Sequence, residues 1–250
     1  MSIRALIFDV DGTLAETEEL HRTSFNTAFA QAGLAWNWDG RLYNELLEVT
    51  GGKERIARFI EILGAGHAMD QQTIAGLHQA KTSIYANAVL GGALNLRPGI
   101  RRLLNEARQN GVTVAIATTT SRESVNALLH ASFGPGGLDQ FTFIAAGDSV
   151  PKKKPAPDIY HLVLKRLGLV GRDAVAIGDT PNGLRSANAA GIDAVITRSV
   201  FGGESGFDDA LTVVDHLGDP GNRCRVLQGR DIPEGMVTIA SLARMHDMST

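Results

Sequence analysis

Residues 5–14 read Ala5-Leu6-Ile7-Phe8-Asp9-Val10-Asp11-Gly12-Thr13-Leu14. Four consecutive apolar residues suit a strand buried on both faces, the pattern of a parallel sheet. Two acids separated by one residue follow directly. In extended backbone, residues two apart point the same way, so Asp9 and Asp11 can face one site. Gly12 permits a sharp turn just beyond them. Such a stretch is usually only a turn, but a turn does not account for two acids abutting a core strand. In an open α/β sheet, ligands bind at the carboxyl ends of strands, where this pair would sit.

Working outward, further short apolar runs occur at Val112 to Ala117, Phe141 to Ala145, Ala174 to Ile177 and Ala194 to Ile196. Helical spacing separates most of them: Ile100, Leu103, Leu104 and Ala107 share one face, as do Ile159, Leu162, Val163 and Leu167. Alternating strand and helix predicts an α/β fold with a doubly wound parallel sheet. The stretch between the first two runs is far longer than one crossover needs. Phe25, Ala28, Phe29 and Ala32 are spaced as a helix, as are Ile56, Phe59, Ile60 and Leu63, and then Ile74, Leu77 and Lys81. Residues 16–93 are therefore expected to form a helical cap, hinged at Glu16-Thr17 and Gly91-Gly92. Residues 1–15 and 94–220 are expected to form the core, and 221–250 a C-terminal extension ending in a helix through Ile239, Leu242 and Met245.

Composition narrows the function classes. The 250 residues are 44% hydrophobic and 20% charged, with a formal charge of −3. That charge offers no footprint for nucleic acid, and no polybasic run exists to hold a membrane surface. No apolar segment approaches the ~20 residues that span a bilayer. A single cysteine, Cys224, rules out a disulfide within the chain, so a cytoplasmic location is expected. A dinucleotide-binding oxidoreductase is disfavoured, because no Gly-x-Gly-x-x-Gly turn follows the first strand.

Paired acids suit phosphoryl transfer. One carboxylate attacks phosphorus as a covalent nucleophile. The other, crowded by like charge, is expected to hold a proton for the leaving oxygen and then to activate water. Carboxylate and phosphate repel, so a hard divalent cation, Mg²⁺, and basic groups are required. Matching parts follow the other strands: Thr118-Thr119-Thr120-Ser121, Lys152-Lys153-Lys154-Pro155 and Gly178-Asp179-Thr180. Singly these have plainer meanings, as a helix cap, a solvated loop and a second cap. Their joint placement, always just past a strand, binds them into one site.

Asp9-Val10-Asp11-Gly12-Thr13, Thr118, Lys154 and Asp179 resemble the four ordered motifs of the haloacid-dehalogenase-like hydrolases, and residues 16–93 resemble the C1-type cap of that superfamily. A narrower resemblance, over roughly residues 1–220, is to the CbbY-type sugar phosphatases. It is carried by Asp9 to His21, Thr50-Gly51-Gly52-Lys53-Glu54-Arg55, His78 with Lys81, and Thr118 to Ser121. The resemblance implies Asp9, Asp11, Thr118 and Lys154 as catalytic residues and Asp9, Asp179 and the Asp11 carbonyl as Mg²⁺ donors. It implies Glu18, Gly51, Gly52, Lys53, Arg55, His78, Lys81, Thr119 and Thr120 as substrate contacts. It further implies an enzyme of the Calvin cycle, which takes the 1-phosphate from xylulose 1,5-bisphosphate, an inhibitor of Rubisco; a monomer is expected. The chain departs from many relatives at Gly178 and Gly183, where acids are expected, leaving Asn182 to orient a metal-bound water. Two rival readings remain open: a beta-phosphoglucomutase, which shares cap type and acids, and a non-catalytic sugar-phosphate sensor.

Overall fold

The structure, a computed structural model, describes residues 3–248; Met1, Ser2, Ser249 and Thr250, at the ends of the expected core and extension, lie outside the described residues. Five strands follow the expected runs: β1 (Ala5–Phe8), β2 (Thr113–Ala117), β3 (Phe143–Ala145), β4 (Ala174–Gly178) and β5 (Asp193–Thr197). Two more, β6 (Thr212–Val214) and β7 (Val226–Gly229), complete a seven-stranded sheet in the order β3-β2-β1-β4-β5-β6-β7. Every pairing is parallel except β6 with β7. β1 lies inside the sheet between β2 and β4, with Leu6 opposite Val114 on one side and Val175 on the other.

Alternation along the strands explains why helices cover both faces. Leu6, Phe8, Val114, Ile116, Val175 and Ile177 point into one apolar layer. Helices α5 (Ile100–Gln109), α6 (Arg122–Phe133) and α9 (Ile239–Asp247) fill that layer with Leu103, Leu128 and Leu242. Ala5, Ile7, Ala115, Ala117, Ala174 and Ala176 face the opposite layer, under α7 (Asp158–Leu167) and α8 (Pro181–Ala189). Small side chains on that face let those helices approach the sheet closely. This is the doubly wound α/β architecture expected from the runs.

Between β1 and α5 lie four helices: α1 (Glu18–Gln31), α2 (Gly40–Leu46), α3 (Gly52–Leu63) and α4 (Gln71–Leu90). They gather their own apolar cluster around Phe25, Phe29, Trp38, Tyr43, Ile56 and Phe59. Asp39 and Asp70 start α2 and α4 by accepting N–H bonds from Leu42 (2.8 Å) and Thr73 (2.7 Å). The chain re-enters the sheet layer where Leu96 pairs with Ala15 and Arg97 N–H bonds the Leu14 carbonyl at 2.8 Å. The buried Arg97 guanidinium then binds the carbonyls of Gly12, Thr197, Arg198 and Asp215 and the Glu16 carboxylate. One side chain thus ties both connections of the helical segment to the ends of β5 and β6.

The residues expected as an extension supply part of the sheet. β7 forms its edge, and α9 buries Leu242 and Met245 against the first apolar layer. β7 is short and largely exposed, so it carries no apolar run to read. No helix among the described residues is long and apolar enough to cross a membrane.

Candidate active site

A cavity of about 650 Å³ opens where β1, β2 and β4 end, between the sheet and helices α1, α3 and α4. Its sheet-side wall carries Asp9, Asp11, Thr118, Thr119, Thr120, Lys154 and Asp179, and its helical wall carries Glu18, His21, Gly51, Gly52, Arg55, His78 and Lys81. Every residue expected in the site except Lys53 lines this one space.

The sheet-side wall is placed by strand pairing that continues one residue past the strand ends. Asp9 N–H bonds the Ile177 carbonyl at 2.8 Å, and Thr118 N–H bonds the Ala145 carbonyl at 3.0 Å. Asp9 is buried; its Oδ1 accepts from Val10 N–H (2.8 Å) and its Oδ2 from Lys154 Nζ (2.7 Å). Lys154 also donates to the Ala117 carbonyl at 2.8 Å. Burial works against its charge, but Asp9, with Tyr160 and Asp179, outweighs it and holds the ammonium above its ordinary range. Thr180, not Asp179, caps α8, accepting from Gly183 N–H at 3.1 Å. Asp179 is thereby left to face the site. Burial, and then the charge of Asp9, push its carboxyl well above the usual range. Ser121 caps α6 in the same manner, at 3.2 Å from Ser124 N–H, which leaves Thr118 on the cavity.

Asp11 behaves differently from expectation. Its carboxylate turns from Asp9 toward α1, accepting from Thr17 Oγ1 at 2.7 Å and meeting His21 Nε2 at 3.0 Å. Burial would raise this carboxyl, but the charge and hydrogen bond of His21, with the Thr17 hydroxyl and Lys81, outweigh it and hold Asp11 well below the usual range. Crowding by Asp9 therefore does not keep a proton on Asp11 here. The acid so crowded is Asp179. Behind His21, Lys81 Nζ lies 2.7 Å from Nδ1. Lys81 is buried between the rings of Phe25 and Tyr85, and burial brings its pKa down to about 8. Burial and the Lys81 charge lower His21 too, against the pull of Asp11, and its ring bridges Lys81 at Nδ1 and Asp11 at Nε2.

The helical wall is held by its own contacts. Tyr43, fully buried, donates to Glu18 Oε2 at 2.6 Å and accepts from Arg55 Nη1 at 3.2 Å. Arg55 also binds the carbonyls of Leu46 (3.2 Å) and Val49 (3.4 Å). Gly51 has φ +103°, outside the range of other residues, and a Cβ on Gly52 would lie 2.5 Å from the His78 ring. The two glycines let α3 begin against His78. Burial and neighbouring lysines lower His78 to about 3, so its ring is neutral. Lys53 departs from expectation: it points out of the cavity and pairs with Asp148 at 2.6 Å, beside a Lys153–Glu54 pair at 2.9 Å. Asn182 lines the cavity, and its amide binds the Glu48 carbonyl (3.3 Å) and Thr50 Oγ1 (3.2 Å).

Four contributors went unassigned in the sequence. His21 follows Glu18 by three residues, so α1 shows both on one face; that spacing could have found it. Tyr43, Ser199 and Phe201 carry no such signal. Phe201 belongs to the loop after β5, and its ring packs edge-on against Tyr43 at 5.9 Å.

The donor set suits Mg²⁺. Among the described residues no group of three or more His, Cys, Asp or Glu side chains is gathered as a metal cluster. Asp9 and Asp179 instead form a mutually repelling buried pair on an open cavity. Mg²⁺ is typically held by one or two carboxylates together with waters and substrate oxygens.

A buried nucleophile-type acid with a lysine on it, at the carboxyl end of a central parallel strand, defines a hydrolase of a recognisable class. The model of the haloacid dehalogenase-like hydrolase family matches residues 3–191, and the chain belongs to that family. Within it the chain is 48% identical, over 87% of each sequence, to the protein CbbY from Cupriavidus necator. The crystal structure of CbbY from Rhodobacter sphaeroides with phosphate is 46% identical, with a TM-score of 0.81, over 86% of this chain and 94% of that one. A variant of the same CbbY, crystallised with xylulose 1,5-bisphosphate, is 45% identical, with the same TM-score and coverage. The chain is thus an enzyme, and its relatives set it among the phosphatases of the family.

Proposed function

We propose that the chain is a Mg²⁺-dependent phosphatase that removes the 1-phosphate of a sugar bisphosphate, best matched by xylulose 1,5-bisphosphate, leaving xylulose 5-phosphate. The observation that carries this reading is the buried Asp9–Lys154 pair beside Asp179, facing a wall that presents Arg55 and Lys81. Phosphate is recognised at one end and a polyhydroxy anion at the other.

Asp9 attacks phosphorus and forms an aspartyl phosphate. Lys154 neutralises Asp9 and one phosphoryl oxygen, and Thr118 with the Thr119 and Thr120 backbone receives others. Mg²⁺, held by Asp9, Asp179 and the Asp11 carbonyl, would offset the charge on the phosphoryl oxygens. Asp11 gains a proton from His21 Nε2, which Lys81 replenishes at Nδ1, and delivers it to the leaving sugar oxygen. Ionised again, Asp11 takes a proton from water, whose oxygen attacks phosphorus, releasing phosphate and restoring Asp9. Glu18 and His78 contact sugar hydroxyls. Arg55 and the N–H groups at Gly51 and Gly52 bind the distal phosphate. Helices α1–α4 act as a cap whose closure excludes bulk water.

Phosphate release from a panel of sugar mono- and bisphosphates, with and without Mg²⁺, tests this. The expected result is Mg²⁺-dependent release, fastest from the pentulose bisphosphate. An isomerised monophosphate without free phosphate would favour a mutase. Tight binding without hydrolysis would favour a sensor.

A further inference from the structure

Asp179 is the only acidic side chain on its segment that can reach the proposed cation, because positions 178 and 183 are glycines. Its orientation is then set by whatever touches it. Ser199, in the loop just after β5, donates from Oγ to Asp179 Oδ2 at 2.7 Å. Both residues are nearly inaccessible, at 7% and 3% exposure. Thr13 Oγ1 touches the other oxygen at a looser 3.3 Å. A Cβ on Gly12 would fall 1.9 Å from Asp179 Oδ2 and 2.9 Å from Ser199 Oγ, so carboxylate and hydroxyl are packed directly under that turn.

Ser199 is itself held. Val200 N–H bonds Glu16 Oε2 at 3.3 Å, Phe201 packs on Tyr43, and Gly202 N–H returns to the Ser199 carbonyl at 3.3 Å. A Cβ on Gly202 would lie 2.6 Å from the Asp179 carbonyl, so the loop closes tightly over the acid. A buried serine that only satisfied its own hydroxyl would not need this fixation, and other acceptors would serve.

We propose that Ser199 is a positioning residue: its hydroxyl fixes the Asp179 carboxylate in the orientation that lets Asp9 and Asp179 share a Mg²⁺ ion. It gives this chain an anchor for the cation where positions 178 and 183 supply none. The proposal rests on the Mg²⁺ reading above, and partners that orient a metal ligand typically change affinity ten- to a hundredfold.

Calorimetric titration of Mg²⁺ into the wild type, Ser199→Ala, Ser199→Cys and Ser199→Thr tests it, with phosphate release measured against Mg²⁺ concentration. Ser199→Ala should bind Mg²⁺ roughly ten- to a hundredfold more weakly, with kcat at saturating Mg²⁺ within about threefold of the wild type. Ser199→Cys, a weak donor of similar shape, should fall between and stands in if the alanine variant does not fold. Ser199→Thr, which keeps the hydroxyl, should restore binding. Wild-type affinity in the alanine or cysteine variant would overturn this inference alone. Absence of Mg²⁺ binding in the wild type would overturn the metal reading along with it.

Discussion

The two walls of the cavity are built on opposite principles. On the sheet side, Asp9 and Thr118 stand just past strands, and pairing to the next strand fixes their backbone. Its charges are in conflict, with Asp9 and Asp179 buried together and the repulsion eased by Lys154 on Asp9 and the Arg97 charge near Asp179. On the helical side the residues come from three helices, and their charges already have partners: Glu18 and Arg55 meet through Tyr43, and Lys81 reaches Asp11 through His21. In the proposed reaction, charge is supplied at the unsatisfied wall, and shape and hydroxyl pattern are read at the satisfied one. Damage to the first should appear in kcat, and damage to the second in KM and substrate preference.

The largest expected effect is on the sheet side. Asp9→Asn should lower kcat by roughly four orders of magnitude or more, with an unchanged circular dichroism spectrum. Residual activity near wild type would erase the division between the walls.

Tyr43→Phe probes the helical side. It removes the hydroxyl that links Glu18 to Arg55. Losing one such buried hydrogen bond should raise KM for the sugar bisphosphate about tenfold, with kcat within about threefold. A fall in kcat with KM unchanged would place Tyr43 in the chemical step instead.

Lys81 joins the walls, and pH separates its roles. Its pKa lies at about 8 in the fold against 10.5 when exposed. Above pH 8 the relay to Asp11 loses its donor, so kcat/KM should fall about tenfold per pH unit, a limb that Lys81→Met should lack. Stability moves the other way: the cost of burying the charge is full below pH 8 and is relieved as pH rises toward 10.5. The stability advantage of Lys81→Met in denaturant should therefore shrink across that window.

The smallest effect concerns Lys53. Because it pairs with Asp148 outside the cavity, Lys53→Ala should change KM by about twofold, as surface pairs do, and equally for mono- and bisphosphates. A selective tenfold loss for bisphosphates would return Lys53 to the phosphate site.

The same contrast decides what could be read from sequence. Strands buried on both faces announce themselves as apolar runs, and a residue that follows such a run has one place to go. Asp9, Thr118 and Asp179 were legible for that reason, and with them the doubly wound sheet. Position after the third run pointed only to one of Lys152, Lys153 and Lys154; the resemblance picked Lys154 among them. Positions on the helical wall needed resemblance, since a polar helix face looks alike whether it meets solvent or a cavity. Even so, Lys53 and Arg55 share one turn of α3, and only the fold sends Arg55 inward and Lys53 to Asp148. β6 and β7 were missed because three or four residues at a sheet edge carry too little apolar pattern. The protonation of Asp11 was misjudged because Thr17 and His21, not Asp9, are its neighbours.

The account depends most on Asp9 as the atom donor to phosphorus. Wild-type enzyme mixed with Mg²⁺ and xylulose 1,5-bisphosphate, quenched in acid within a turnover and mapped by mass spectrometry, should carry a phosphoryl group on Asp9. Phosphate release accompanied by an adduct on any other residue, or by none at any quench time, would contradict it.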